Sequence, residues 1–440
     1  MTTPRKEVIY KLPLTQFPED CDWPVQSLAT TANVLGGGTP DTGVAEYWEP
    51  AEIPWATPTD ITGTDGNEII GTERSISTAG LKHSTLVPEN SVLMTSRATI
   101  GAAKINRVPM AINQGFAAFV PKPGYSSEYL FHLIEVLKPT LVRLGAGTTF
   151  LETSRREIKK VLARIPEEDE QRRIAAVLKL ADDAIAKAKA ELTATRELKR
   201  SLMTQVFENG LTPSVNKKPY KIHRCYTASI PAHWGTEGLG KSLVLVEYGT
   251  NAASNDYQSG YPVIAIPQVV APHLSLTDVP FAEVSETEAA ALRLRAYDVL
   301  LIRTNGNPEY IGKSTIVSEE VGAIHTIFAS YLIRVRTDKE KLLGAYLNYF
   351  LASPLGRRQA GAVANTSAGN NNIGARAIKQ FKLPRPPVSE QEQIVDLLNG
   401  VEAQINALAG KVEALQQVKK SLLQNLLTGK IRIPEGAIHG

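Results

Sequence analysis

Apolar and small residues fall in alternating steps of four and three along Ile174, Leu178, Ala181, Ile185, Ala188, Leu192 and Thr195, and the series resumes at Leu202 and Val206. Its one charged member is Lys199. Such spacing over more than four heptads predicts a long helix, Pro166 to Phe207, that buries one stripe against another helix. The same chain supplies a partner. Ile394, Leu398, Val401, Ile405, Leu408, Val412, Leu415, Leu422 and Leu426 repeat the pattern at a constant offset of 220 (394 − 174 and 426 − 206). That offset also lays Glu170-Gln171 on Glu390-Gln391, Ile158-Lys159 on Ile378-Lys379, and Lys199-Arg200-Ser201-Leu202 on Lys419-Lys420-Ser421-Leu422. A gapless register over this distance is an internal duplication. The residues predicted to pair the helices are Ile174, Leu178, Ile185, Leu192, Leu202, Ile394, Leu398, Ile405, Leu415 and Leu422.

The ends of both helices are written in the sequence. Pro166 suits a first turn, because its φ is preset and its missing N–H would have no partner there. Glu167, Glu168, Asp169 and Glu170 complement the positive end of the helix dipole. Gly210 and Pro213 close the first helix. Pro386-Pro387 opens the second, with Ser389 and Glu392 at capping-box spacing, and it ends near Gly429.

A globe precedes each helix. In residues 1–160, Ser91 to Thr95 and Ala111 to Val120 read as strands, and Tyr129 to Leu137 as a short helix ended by Pro139. Residues 214–383 repeat the outline, with Trp234 matching Trp23 and Gly249-Thr250 matching Gly38-Thr39 at an offset of 211 (234 − 23 and 249 − 38). Tyr297 to Arg303 is the strand of the Val92 to Arg97 kind, and Leu342 to Leu351 is the short helix, ended by Pro354. The predicted fold class is α+β: two mixed α/β globular domains separated by two long antiparallel coiled-coil helices, with an internal pseudo-two-fold repeat.

Composition narrows the options. The 440 residues are 43% hydrophobic and 21% charged, ordinary for a globular protein of several domains. The absence of any eighteen-residue apolar run, and of a signal-peptide core in Met1 to Tyr10, gives the expectation of a cytoplasmic protein with no membrane partner. Two cysteines, Cys21 and Cys225, and seven scattered histidines argue against a disulfide framework or a thiolate zinc site, so no metal is expected. A net charge of +3 permits local basic surfaces without requiring a nucleic-acid partner.

Two copies of Pro-x-x-x-Glu-Gln, each followed by Ile and a heptad helix carrying Lys, then Arg or Lys, then Ser-Leu, each behind a different globe, resemble the specificity subunit of type I restriction–modification systems. The resemblance covers the whole chain. It implies a first target-recognition domain over 1–163, a conserved helix over 164–212, a second recognition domain over 213–383, a conserved helix over 384–430, and a C-terminal tail over 431–440. Gly147-Thr148-Thr149-Phe150 running into Ser154 to Ile158 resembles the family's exit from the first recognition domain. The second copy departs from it, with Ala368-Gly369-Asn370-Asn371-Asn372-Ile373. The resemblance further implies a chain without a catalytic centre that binds a two-part site on double-stranded DNA and docks two methyltransferase subunits. Restriction/translocase subunits join through these in the full complex. No cofactor is expected in this chain, and S-adenosylmethionine, ATP and magnesium belong to the partner subunits.

The physics of the pattern agrees. A helix of roughly forty residues spans about 60 Å. An antiparallel pair would send the globes out at opposite ends, about a two-fold axis that matches the local symmetry of a duplex. Arg pairs bidentately with guanine and Asn with adenine in the major groove. DNA-binding candidates are therefore Ser96, Arg97, Thr148, Thr149, Arg155 and Arg156 in the first half, and Arg303, Asn305, Asn307, Asn370, Asn371 and Arg376 in the second. The alternative for each is a solvated surface residue or turn-former. Gly306 to Ser314 resembles a phosphate-binding loop, but its glycines are six apart and Thr315-Ile316-Val317 favours a strand after it. Asn307-Pro308-Glu309-Tyr310 reads as a turn, and Gly36-Gly37-Gly38 lacks dinucleotide-site spacing. Val177, Leu397 and Leu423 suit either partner docking or the chain's own core. A stand-alone DNA-binding regulator with two recognition domains is the alternative function.

Overall fold

The computed structural model describes residues 18, 21–97, 99–145, 152–211, 216–223, 226–271, 274–367 and 370–436. The chain falls into two compact units, Met1–Ala190 with Ala409–Gly440, and Glu191–Leu408. Six helices carry the argument: α1 (Ser127–Gly145), α2 (Arg155–Lys159), α3 (Glu168–Asn209), α4 (Gly344–Ala352), α5 (Ala375–Lys379) and α6 (Val388–Leu426). Each unit contains one globe and half of both long helices, α3 and α6.

In the first unit a five-stranded sheet runs in the order Ala32–Leu35, Phe116–Pro121, Ser91–Thr95, Ala103–Asn106, Glu68–Ile69. Its central strand is buried at every position, because the sheet is covered on both faces. Val92 and Met94 pack into the core that holds α1, while Leu93 on the opposite face packs with Met110, Ile112 and Phe116. Burial on both faces is why this strand reads as a continuous apolar run instead of an alternation. The second unit repeats the design. Its sheet runs Leu243–Tyr248, Leu332–Thr337, Val299–Ile302, Ser314–Ile316. Val299 and Leu301 face one core, and Leu300 and Ile302 face the other. Each unit also has a smaller sheet with one parallel pair, Trp55 opposite Ala111 and Val263 opposite Ile327.

Several local expectations change. The apolar run Ala111 to Val120 forms two strands, Met110–Ile112 and Phe116–Pro121, parted where Asn113 Oδ1 accepts the Gly115 N–H. Helix α1 continues through Pro139 to Gly145. The proline forfeits one hydrogen bond to the Glu135 carbonyl, but burial of Leu137 and Leu141 outweighs it. Pro354 both follows α4 and opens a further helix, Pro354–Val363, which Ser353 caps by accepting the Gly356 N–H. Helix α6 begins at Val388, which places Ser389 inside the first turn and not at the cap.

Within each unit the long helices run antiparallel. In the first, Glu170 pairs with Arg432 and Asp182 with Lys419; in the second, Lys199 pairs with Glu402, and Phe207 shares a core with Ile394 and Leu398. Ile174, Leu178, Ile394 and Leu398 are wholly buried, Ile185, Leu192 and Ile405 nearly so, and Leu202, Leu415 and Leu422 half-buried. Near the globes burial spreads beyond the heptad stripe to Met203, Phe207 and Leu427, because globe residues cover a second face. Leu423 belongs to that core and Val177 packs against it, whereas Leu397 stays exposed.

The charged heptad member has an equivalent at Lys419, and both lysines pair across the helices. The acids they meet are equivalent too, since Glu402 stands 220 after Asp182 (402 − 182). Lys419 Nζ lies 2.8 Å from Asp182 and 3.0 Å from Glu135 of α1, with His132 beside Glu135 at 3.6 Å. Asn67 Nδ2 donates to Asp182 at 2.7 Å. For Lys419, burial opposes the charge, but the bonds to Asp182 and Glu135 outweigh it and raise its pKa. For Glu135, burial is likewise outweighed by His132 and Lys419, which hold the carboxyl below its usual value. A raised Lys419 stabilises fully below about pH 10.4 and loses this as pH rises through the folded value. A depressed Glu135 stabilises above about pH 4.3 and loses this as pH falls through the folded value. Lys419→Met should therefore cost about 2 kcal/mol at neutral pH and flatten the stability profile at both edges, as read by denaturant melts against pH. Lys179→Ala, which removes an exposed pair with Asp183, should cost under about 0.5 kcal/mol.

Candidate nucleic-acid interface

Two stretches distant in sequence meet in each unit: the end of the central strand and the segment that leaves the globe for its long helix. In the first unit Arg97 bridges to Glu152, and the Thr153 N–H donates to the Ser96 carbonyl at 3.0 Å. In the second, Thr304 and Asn305 pair with Asn372 and Asn371, and the Ile373 N–H donates to the Arg303 carbonyl at 2.8 Å. Asn370–Asn372 pairs in turn with Asn365–Ser367, making a polar three-stranded ribbon. All these attachments are main-chain bonds.

Each exit segment then forms a short helix pinned by one buried isoleucine, Ile158 in α2 and Ile378 in α5. Ser154 caps α2 by accepting the Glu157 N–H. Arg155, Arg156, Lys159 and Lys160 of this segment line an open groove of about 680 Å³. Cations concentrated there suit a phosphate chain. Arg376 and Lys379 of α5 are likewise exposed. Three other basic residues of the second unit are committed to the scaffold: Arg334 is buried on the Arg293 and Ala291 carbonyls, Arg336 grips Asp298 through two bonds, and Arg357 holds the Glu309 and Ile311 carbonyls.

The sequence candidates distribute as follows. Ser96 is buried at 3% exposure and contributes its main chain. Arg97 is exposed and pairs with Glu152 at 3.0 Å. Arg155 lies over Gly36, where an added Cβ would sit 2.4 Å from the guanidinium. Gly37 is needed for a closer reason, since its Cβ would fall 1.8 Å from the Ile112 carbonyl oxygen. Arg156 and Arg376 are exposed. Arg303 stacks 4.6 Å above the Tyr248 ring and donates to the Ser330 carbonyl. Asn305 accepts the Asn307 N–H, and Asn307 the Glu309 N–H, so both also shape the turn. Asn370 and Asn371 lie in the ribbon. Thr148 and Thr149 lie outside the described residues. Gly306 to Ser314 passes through a short 3-10 turn into the strand Ser314–Ile316.

Sequence reading missed Tyr248. Its hydroxyl accepts the Ala375 N–H at 3.0 Å, and its ring carries Arg303. At the matching corner of the first unit, Gly36 leaves room for Arg155. Each unit thus holds a guanidinium at the matching corner, Arg155 from α2 in the first and Arg303 from the strand end in the second. The available signal was the 211 offset, which aligns Tyr248 with Gly37 (248 − 37).

The chain is thus a duplicated α+β protein whose two globes carry unlike polar and basic residues on a repeated scaffold. The sequence model described as the type I restriction modification DNA specificity domain matches residues 21–194 and 259–417, and the chain belongs to that family. The MjaIX type I restriction enzyme specificity subunit of Methanocaldococcus jannaschii is 32% identical over 244 residues, 53% of this chain and 54% of that protein. The chain spans about half the length of the curated relatives it matches. Among solved structures, a chain described in work on complex assembly and conformational transition of the type I R-M system has a TM-score of 0.58 at 16% identity, over 94% of this chain and 99% of that one. The type I restriction–modification S subunit of M. genitalium has a TM-score of 0.54 at 11% identity, over 93% and 97%. At these identities the likeness is one of fold.

The Tyr248 contact is directly testable. Tyr248→Phe should speed amide exchange at Ala375 by about tenfold while global stability changes by under about 1 kcal/mol, since one exposed hydrogen bond is lost and the ring is kept.

Proposed function

We propose that this chain is the DNA-sequence specificity subunit of a type I restriction–modification complex. Each globe reads one half of a bipartite site, the paired helices set the distance between halves, and methyltransferase subunits dock on the chain. Restriction subunits join through these. The chain works in the cytoplasm and does no chemistry itself; S-adenosylmethionine, ATP and magnesium act in the partner subunits. Supporting this are the family membership and the duplicated scaffold. The observation that carries it is the corner shared by both globes, where strand end and exit segment are joined by main-chain bonds while their side chains differ. A shared frame with unlike contact residues is what a non-palindromic two-part target requires.

The division of labour follows from placement. Arg303, held by Tyr248 and Ser330, and Arg155, which lies over Gly36, stand at the corner, which suits base edges. Lys159 and Lys379 are exposed cations on short helices, which suits phosphates. Mapping methylated adenines in DNA from cells with and without the chain should show one two-part motif disappear in its absence; an unchanged map would end the proposal. In the assembled complex, Arg155→Ala or Arg303→Ala should cost about 1–3 kcal/mol and relax one base of one half-site. Lys159→Ala should instead weaken all sequences alike and lower the salt slope by about one. Binding selections at two salt concentrations separate these outcomes.

A further inference from the structure

The Glu-Gln pair that opens each long helix lies away from the strand-end corners, yet it is heavily bonded in both units. Gln171, 1% exposed, accepts the Ser126 N–H at 3.0 Å and donates to the Gly124 and Pro166 carbonyls at 3.2 and 2.9 Å. Gln391, fully buried, accepts the Leu343 N–H at 2.9 Å and donates to the Lys341 and Pro386 carbonyls at 3.0 and 2.9 Å. In both units one carboxamide therefore ties the start of the long helix to the loop before the globe's own helix. The neighbouring acid makes a second tie. Glu170 accepts the Trp23 Nε1–H at 3.2 Å, and Glu390 accepts that of Trp234 at 3.1 Å.

The two joints differ on their outer side. Arg432 grips Glu170 at 2.5 and 2.6 Å, reaches Asp22 at 2.8 Å, and lies 5.3 Å from the Trp23 ring centre. In the second unit His233 stands 3.3 Å from Glu390 instead. A carboxamide accepts and donates at once without charge. A main-chain tie at its centre and an indole tie at its edge together fix an angle as well as a contact.

We infer that Gln171 and Gln391, with the Trp23–Glu170–Arg432 and Trp234–Glu390 ties, are positioning residues for half-site spacing. They lock each globe onto its own helix ends, so that discrimination by spacer length resides in these joints, while base preference resides in the reading corners. This inference rests on the proposed ruler function of the helices.

The test uses the full chain with its methyltransferase subunits and a DNA library in which both half-sites are constant and the spacer varies in single base-pair steps. The unaltered chain should prefer its best spacer over the adjacent ones by about tenfold or more. Gln171→Met and Gln391→Met keep the size and lose the bonds; they should bring the adjacent spacers within about threefold while base preferences stay unchanged. Arg432→Ala changes an exposed side chain, leaves the core intact, and should broaden the profile in the same direction. Leu93→Ala, a core truncation remote from either joint, should lower stability and leave the spacer profile sharp. A flat profile for the unaltered chain would remove the ruler reading itself. A sharp profile for the unaltered chain that stays sharp in all three joint variants would overturn the inference alone.

Discussion

The structure depends on how a helix that cannot fold usefully alone is fastened to a globe. A heptad stripe of single residues is a narrow seam, and midway along the helices Ile185, Leu192 and Ile405 are its nearly buried members. Rigidity comes from the ends, where a buried carboxamide satisfies main-chain groups that would otherwise be lost to water, and where Gly210 and Gly429 adopt left-handed backbone beside a tryptophan. A Cβ at Gly210 would meet Trp234 at 3.1 Å and the Glu390 carboxylate at 2.8 Å. The helix that closes against each tryptophan is thus the one arriving from the other end of the repeat.

Charge at the seam follows the same logic. An apolar residue at Lys199 or Lys419 would bury more surface, but many registers would then be nearly equivalent. A lysine that finds its acid in one alignment alone penalises the others, since a slipped register leaves both charges unpaired. The two pairs are copies of each other under the repeat, so a single ancestral device serves both halves.

Much of this was legible in the sequence because it depended on periodicity. Helix lengths, the duplication, the twin globes and the central strands all announce themselves through spacing and apolar runs. What escaped were features set by covering elements. Phe207 and Leu427 are buried because the globe covers them, which no helical period records. Pro139 looked like a stop because its cost is local and visible, whereas the core that outweighs it is assembled from distant strands. Each candidate corner was nominated from two separate stretches, and only the tertiary pairing made them one place. Tyr248 stayed hidden for a related reason: an aromatic in an apolar strand looks like core until its hydroxyl is seen to hold another segment's amide.

The main-chain attachment of the exit segments carries a consequence for the history of the protein. A ribbon fastened by amides and carbonyls does not care which side chains it bears, so mutations along Asn370–Asn372 leave its moorings intact. Chemical novelty and structural integrity are thereby uncoupled along the exit segments. A lineage could drift from one vocabulary to another through folded intermediates, and the two globes could diverge independently without loss of either fold.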